Sequence, residues 1–121
     1  MEEIELGAVQ ERFADLIWAN EPVESGALVK VCAERWGWKK STTYTVLRKL
    51  CEKGLFENDN GTVRACVPRD AFYARRSKQI VEDSFHGSLP SFFAAFLQGR
   101  GLSAKEANEI QTMIDAYRRG E

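Results

Sequence analysis

The sequence predicts a mainly α-helical chain with one small β-hairpin, and three observations support this fold class. Apolar side chains recur at intervals of three and four residues over most of the chain, as they do on one face of a helix. The pattern breaks at Asn60-Gly61, a step typical of tight hairpins, which lies between two short extended runs. The length of 121 residues is usual for one domain and leaves no room for a second large one.

Composition excludes several other classes of protein. Hydrophobic residues make up 44% and charged residues 29%, which is ordinary for a globular chain. The longest apolar run, residues 92–97, is far shorter than the roughly 20 residues that a membrane span needs. The acidic N-terminus, Met1-Glu2-Glu3-Ile4-Glu5, is the opposite of the basic start of a secretory signal. We therefore expect a cytoplasmic protein without membrane insertion.

The first three predicted helices have clear ends. Pro22 ends the first helix, because the residue before a proline is pushed out of helical geometry. Ser25 is the expected cap of the second helix and Gly37 its stop. The third helix is expected over residues 41–53. The apolar stripes consist of Leu6, Val9, Phe13, Leu16 and Ile17, then Leu28, Val31, Cys32 and Trp36, then Thr43, Val46, Leu47 and Leu50.

The hairpin and the helical tail follow directly. Extended runs at residues 55–57 and 63–67 flank the turn, and Pro68 ends the second of them. A fourth helix begins near residue 69, His86-Gly87 interrupts it, and residues 88–97 form a fifth. A capping box, Ser103-Ala104-Lys105-Glu106, opens the last helix. Three helices followed at once by a hairpin predict a winged helix-turn-helix DNA-binding domain over residues 1–69, with a helical dimerisation region over 70–121.

Charge is segregated along the chain. Residues 1–24 have a net charge of −6, whereas residues 25–53, which contain the third helix, have a net charge of +5. The overall charge of −1 therefore conceals a basic segment at the element expected to read DNA.

The outer face of the third helix carries hydroxyl and basic side chains. Such groups and a helix N-terminus bind phosphate oxygens, and Arg48 is placed to reach a base edge. The alternative interpretation of this helix face is an ordinary basic surface exposed to solvent. For Tyr44, the alternative to DNA contact is packing at the edge of the hairpin. The tryptophans Trp18, Trp36 and Trp38 are expected to fill the core. The candidate DNA-binding residues are Lys39, Lys40, Ser41, Thr42, Tyr44, Thr45, Arg48, Lys49 and, on the hairpin, Arg64.

The C-terminal third carries more apolar side chains than one small domain can cover. Leaving several Phe and Leu side chains in water is costly, because burial of each is worth roughly 1.5–3 kcal/mol. An isologous homodimer covers them, and a self-contained core is the alternative. The candidate dimerisation residues are Phe85, Leu89, Phe92, Phe93, Phe96, Leu97, Ile110, Ile114 and Tyr117.

Catalytic and metal-binding patterns are weak. His86 is the sole histidine and has no cysteine near it in sequence, whereas zinc sites use three or four ligands. The sequence has neither of the two common phosphate-binding loops, Gly-x-x-x-x-Gly-Lys-Ser/Thr and Gly-x-Gly-x-x-Gly. No nucleophile motif surrounds a serine. We expect no enzyme activity, no metal and no cofactor. Cys32, Cys51 and Cys66 fit reduced, packed thiols, and a redox switch at Cys51 and Cys66 is the alternative.

Several segments resemble the penicillinase-repressor family, also called BlaI/MecI/CopY, over nearly the full chain. They are Leu6-Gly7, Leu16-Ile17-Trp18, the run 38–50, Lys53-Gly54-Leu55, Phe85-His86-Gly87-Ser88, the run 94–97 and the run 102–106. The resemblance implies a dimeric repressor that binds an inverted-repeat operator on double-stranded DNA through a winged helix.

The resemblance also implies candidate inducing signals for such a repressor. In relatives that answer β-lactams, a membrane sensor protease leads to cleavage in the C-terminal region, and the matching bond here is Ala95–Phe96. Those relatives carry asparagine where this chain has Ala95, so cleavage at this candidate site is left open. The copper-responsive branch has a C-terminal cluster of Cys-x-Cys pairs, and this chain has no cysteine after Cys66.

Two functions remain for test: a homodimeric transcriptional repressor, and a winged-helix module that binds protein without DNA. The net acidity of the chain and the position of Glu52 on the outer face of the third helix favour the second. A small hydrolase would require a nucleophile beside His86, and the sequence offers no motif for one.

Overall fold

A computed structural model describes residues 6–120, so the acidic segment Met1–Glu5 lies outside the described residues. The mainly α-helical fold with a small antiparallel sheet is confirmed. The helices and strands of the described chain are α1 (Ala8–Asn20), β1 (Val23–Glu24), α2 (Ser25–Trp36), α3 (Lys40–Glu52), β2 (Phe56–Asp59), β3 (Thr62–Ala65), α4 (Arg69–Phe85), α5 (Leu89–Gly99) and α6 (Ala104–Arg118).

The predicted hairpin is formed by β2 and β3. Phe56 pairs with Ala65 and Asp59 with Thr62, so the two-residue connection is Asn60-Gly61. Both residues have positive φ angles, 51° and 97°, as the favoured two-residue hairpin turn requires. The local sequence therefore determines this turn.

A third strand was not predicted. β1 pairs antiparallel with β3, and the strand order is β1-β3-β2. The Glu24 carboxylate accepts a hydrogen bond from the Thr62 hydroxyl at 3.0 Å, and Ser25 N–H donates to the Gly61 carbonyl at 2.7 Å. Two residues are too few to show an alternating pattern, so only the fold reveals this strand.

The core of the winged helix is built from α1, α2, α3 and the sheet. Phe13, Ile17, Leu50 and Phe56 are among its fully buried side chains. The expectation that the tryptophans pack is confirmed. Trp18 contacts the ring of Phe56 at 5.2 Å between centroids and donates a hydrogen bond to the Val67 carbonyl at 2.9 Å.

Two local expectations are wrong. Ser25 does not cap α2, because the cap position is Glu24 and the Ser25 hydroxyl instead lies 3.2 Å from the Tyr44 hydroxyl. Val9 is 54% exposed, although it shares the face of α1 that buries Phe13. It lies in the first turn of α1, one turn before the residues that the core covers.

The described chain divides into two compact units, one ending at Arg75 and the other starting at Arg76, so this boundary lies inside α4. The assignment of residues 1–69 to DNA binding and 70–121 to dimerisation stays a prediction. In the first unit, Arg69 donates to the Asp15 carboxylate at 3.0 Å and its guanidinium lies 4.6 Å from the centre of the Tyr73 ring. The first turn of α4 is thereby attached to α1.

We expect Phe13→Ala to lower the free energy of unfolding by about 3–5 kcal/mol, because it removes a fully buried ring and leaves a cavity. Val9→Ala on the same helix is the matched control and should change it by no more than about 0.5 kcal/mol. Urea unfolding followed by tryptophan fluorescence measures both. Equal losses in the two variants would contradict the described core.

Candidate nucleic-acid interface

The rotation of α3 about its axis is fixed by burial. Thr43, Leu47 and Leu50 are buried on the inner side of the helix. The opposite side is exposed over Ser41, Thr42, Arg48 and Lys49, as the sequence predicts. The structure therefore brings these candidate DNA-binding residues onto one solvent-facing surface.

The N-terminus of α3 has unused backbone donors. Its cap residue is Lys39, and no side chain in the described residues caps the helix there. The N–H groups of Lys40, Ser41 and Thr42 precede the first hydrogen bond within the helix, which Thr43 N–H makes to the Lys39 carbonyl at 3.1 Å. Together with the side chains of Lys39 and Lys40, both exposed, they form a site suited to an anion such as phosphate.

The turn before this N-terminus is held in place by aromatic packing. Gly37 ends α2 with a φ of 66°, the left-handed conformation that glycine adopts without strain. The Trp38 ring lies 5.1 Å from Trp36 and 5.6 Å from Phe13, measured between centroids. Trp38 therefore braces the α2–α3 turn against the core.

Tyr44 and Thr45 are less available than Arg48 and Lys49. Tyr44 is half-buried against the core, with its hydroxyl beside that of Ser25, which is the packing alternative. The Thr45 hydroxyl donates to the Ser41 carbonyl at 2.9 Å, so its proton is already used. DNA contact by either residue stays a prediction.

Arg48 lies in a weak ion pair. Its Nε atom is 3.9 Å from Oε1 of Glu52 one turn later, and both side chains are largely exposed. Exposed pairs of this kind contribute about 0–1 kcal/mol, so a stronger acceptor on DNA would displace Glu52 at little cost.

Acidic side chains lie next to Arg64 in the sheet. Arg64 lies 3.8 Å from the Asp59 carboxylate and opposite Glu57 in the strand register. With Glu24 on β1, the three strands carry three acidic side chains and one basic one. A DNA contact by Arg64 stays a prediction, but the sheet as a whole adds no positive charge to α3.

The candidate dimerisation residues lie mostly on exposed helix faces of the second unit. Neither α5 nor α6 has a single buried residue within the described chain. Leu89 is 59% and Tyr117 80% exposed; Phe96, Leu97 and Ile114 are also exposed. The remaining members of the set are half-buried: Phe85, Phe92, Phe93 and Ile110. The rings of Phe85 and Phe92 meet edge to face at 5.4 Å.

Three further exposed apolar residues were missed: Ile80, Leu102 and Met113, the last 58% exposed. Met113 follows Ile110 by three residues and so shares its side of α6, a spacing that the sequence already contained. Between α4 and α5, a groove of about 410 Å³ is lined by Ile80, Val81, Leu89 and Phe92 with neighbouring polar residues.

The candidate cleavage bond lies within α5. Ala95 and Phe96 are both exposed and both helical. The Arg100 guanidinium lies 5.4 Å from the centre of the Phe96 ring and is hydrogen-bonded to Glu106. That hydrogen bond from Arg100 lowers the pKa of the Glu106 carboxyl. Glu106 also closes the predicted capping box with Ser103, which is confirmed.

The cysteines differ in exposure. Cys32 is buried, and burial raises the pKa of its thiol. Cys51 is half-buried, and its pKa is raised first by burial and then by the charge of Cys66. Cys66 is exposed, so the expectation of packed thiols is wrong for this residue. It follows Ala65, the last residue of β3, where the sheet no longer covers the chain.

Residues 6–120 show neither a clustered set of metal ligands nor a helix fit to cross a membrane. This part of the chain contains no group of three or more His, Cys, Asp or Glu side chains placed to hold a metal ion. None of its helices combines the length and the apolar character needed to cross a membrane.

The fold and the basic face of α3 define a winged helix-turn-helix protein of the kind that regulates transcription. The chain belongs to the penicillinase repressor family, whose model matches residues 6–116. Members of this family are transcriptional regulators rather than enzymes. The chain is also similar to a penicillinase repressor from Bacillus licheniformis, at 23% identity over 107 residues, covering 85% of this chain and 84% of that protein.

We expect Tyr44→Phe to destabilise the fold by about 0.5–1.5 kcal/mol, because it removes the hydroxyl that meets Ser25. Thermal unfolding measures the loss, with Thr42→Ala, an exposed hydroxyl on the same helix, as the control. Unchanged stability with weakened DNA binding would instead make Tyr44 a DNA contact.

Proposed function

We propose that this chain is a transcriptional repressor that binds a palindromic operator as a homodimer, through α3 and the hairpin wing. The observation that carries the proposal is the exposed face of α3. It combines uncapped N–H groups and two lysines at the helix start with Arg48 and Lys49 further along. In this proposal the helix start binds backbone phosphate, and Arg48 reads a base edge in the major groove.

The dimer is supported by the exposed apolar faces of α5 and α6. Two copies related by a two-fold axis would cover them with the same surface of the partner. The same symmetry places two copies of α3 about one DNA turn apart, ~34 Å, which matches an inverted repeat. Such a repressor works in the compartment that holds the DNA, which in a bacterial cell is the cytoplasm.

Release of the operator requires a signal, and the family resemblance supports proteolysis as one route. A sensor protease system would cut Ala95–Phe96. Proteases bind their substrates in extended form, so this route requires α5 to unwind locally. Because Phe96 is also a candidate dimerisation residue, this part of α5 would have to leave the proposed interface before it could be cut.

The acidic sheet favours a second candidate, a winged-helix module that binds a protein. Asp59 is paired with Arg64, Glu57 lies opposite it, and Glu24 is bonded to Thr62 in the same sheet, so three carboxylates of the sheet would repel phosphate. This candidate predicts that substitutions on α3 leave function intact, which the following experiment tests.

We expect the full chain to shift a palindromic promoter fragment from its own locus at ~50 mM salt, with affinity falling as salt rises. Arg48→Ala should lose roughly 1–3 kcal/mol of discrimination between operator and unrelated DNA. Lys49→Ala should weaken binding to both and reduce the salt slope by about one.

Lys105→Ala is the control, because it removes one exposed lysine from α6, far along the chain from α3. An unchanged operator preference in Arg48→Ala would remove this residue from base reading. No binding at low salt would favour the protein-binding module.

We expect Ile114→Asp to convert the dimer to a monomer at micromolar concentration. It places a charge in the proposed apolar interface, where an unpaired charge costs several kcal/mol. Asn108→Asp puts the same charge on an exposed polar position of α6 and should leave the dimer intact. Sedimentation velocity measures both, and a monomeric parent protein would contradict the proposed dimer.

A further inference from the structure

Two of the three thiols stand at the ends of the proposed DNA-binding elements. Cys51 lies in the last turn of α3, three residues after Arg48. Cys66 follows β3 directly, two residues after Arg64. A bond between them would join the last turn of α3 to the end of β3.

Backbone hydrogen bonds connect the two positions through Leu55. Leu55 N–H donates to the Leu50 carbonyl at 3.2 Å, and Gly54 N–H donates to the Cys51 carbonyl at 3.0 Å. Cys66 N–H in turn donates to the Leu55 carbonyl at 2.8 Å. Leu55 is therefore bonded both to the last turn of α3 and to Cys66, and it holds the two cysteines in one neighbourhood.

The electrostatics of the thiols agree with this placement. The charge of Cys66 acts on Cys51 and raises its pKa further, beyond the effect of burial. The raised pKa also favours the neutral Cys51 thiol, so Cys51 must lose its proton before it can act as a nucleophile.

The three cysteines also differ in what can reach them. Cys66 is exposed, so a small oxidant in solution has access to its sulfur. Cys51 is half-buried beside it, which suits a thiol that reacts second. Cys32 is buried in the core and provides an internal control.

We propose that Cys51 and Cys66 form a reversible disulfide on exposure to hydrogen peroxide, and that this bond weakens operator binding. The second part rests on the proposed function; the first part does not.

The reaction balances with peroxide as the oxidant. The Cys66 thiolate attacks one peroxide oxygen, the O–O bond breaks, and the departing hydroxide takes up a proton to become water. The Cys51 thiolate then attacks the sulfenic sulfur of Cys66, the S–O bond breaks, and a second hydroxide leaves and is protonated. Two thiols and one peroxide thus give one disulfide and two water molecules.

The bond constrains α3 because disulfide geometry is narrow. The two Cα atoms must lie roughly 4.4–6.8 Å apart, with a torsion near 90° about the sulfur–sulfur bond. The bond would tie the last turn of α3, which carries Lys49 and follows Arg48, to the end of β3. In the proposed complex, α3 could then no longer adjust its position on the DNA independently of the wing.

The first test maps the bond in the full chain without DNA. The reduced protein is treated with hydrogen peroxide, blocked with iodoacetamide in urea so that the buried Cys32 is also reached, and digested without reductant. We expect a peptide that joins Cys51 to Cys66, with Cys32 alkylated, and its loss after dithiothreitol. A bond between two Cys66 residues of different chains, or a sulfinic acid on Cys66 beside a free Cys51, would overturn the proposal.

The second test measures operator binding by the same samples. We expect oxidation to weaken binding roughly tenfold, within the usual range of coupling between sites, and dithiothreitol to restore it. Cys32→Ser should respond like the parent protein, whereas Cys51→Ser and Cys66→Ser should not respond.

The outcomes separate the two proposals. A mapped disulfide with unchanged affinity would overturn the switch but keep the thiol site. A reduced protein that binds no operator would defeat the proposed function, while the peptide map would still decide whether the disulfide forms.

Discussion

Burial of one side of α3 is the constraint on which the candidate site depends. Leu47 and Leu50 are inserted into the core, and Thr43 is buried with them. Turning the helix so that Arg48 faced inward would bury an unpaired charge, at a cost of several kcal/mol. The same packing that stabilises the fold therefore directs the basic face into solvent.

The fold shows where charged residues of the acidic and basic segments lie. The acidic residues of the first segment include Glu24, which the β1–β3 pairing places in the same sheet as Glu57 and Asp59 of the hairpin. Exposed charges act over a distance of about 10 Å at moderate salt. The exposed basic side chains of α3 and its N-terminus therefore have no counterpart in the sheet, whose one basic residue is Arg64.

The elements that the sequence predicts correctly are those whose causes are local. The Asn60-Gly61 turn and the Ser103–Glu106 capping box each depend on residues within four positions of each other. The features that were missed depend on distant pairs. β1 exists because Val23 meets Val63, and Ser25 is the first residue of α2 rather than its cap, with its hydroxyl beside that of the distant Tyr44.

The candidate site follows the same division between local and distant causes. The exposure of Arg48 and Lys49 follows from helical periodicity within α3 and needs no knowledge of the fold. The pairing of Arg64 with Asp59, across from Glu57, depends on hairpin register, so the sequence alone did not reveal which carboxylates lie next to Arg64. On the proposed dimer, each half-site would then be held mainly by one short helix, and tight binding would require both copies at once. The exposed apolar faces of α5 and α6 would therefore matter for operator affinity as much as α3 does, because they are what would hold the second copy in place.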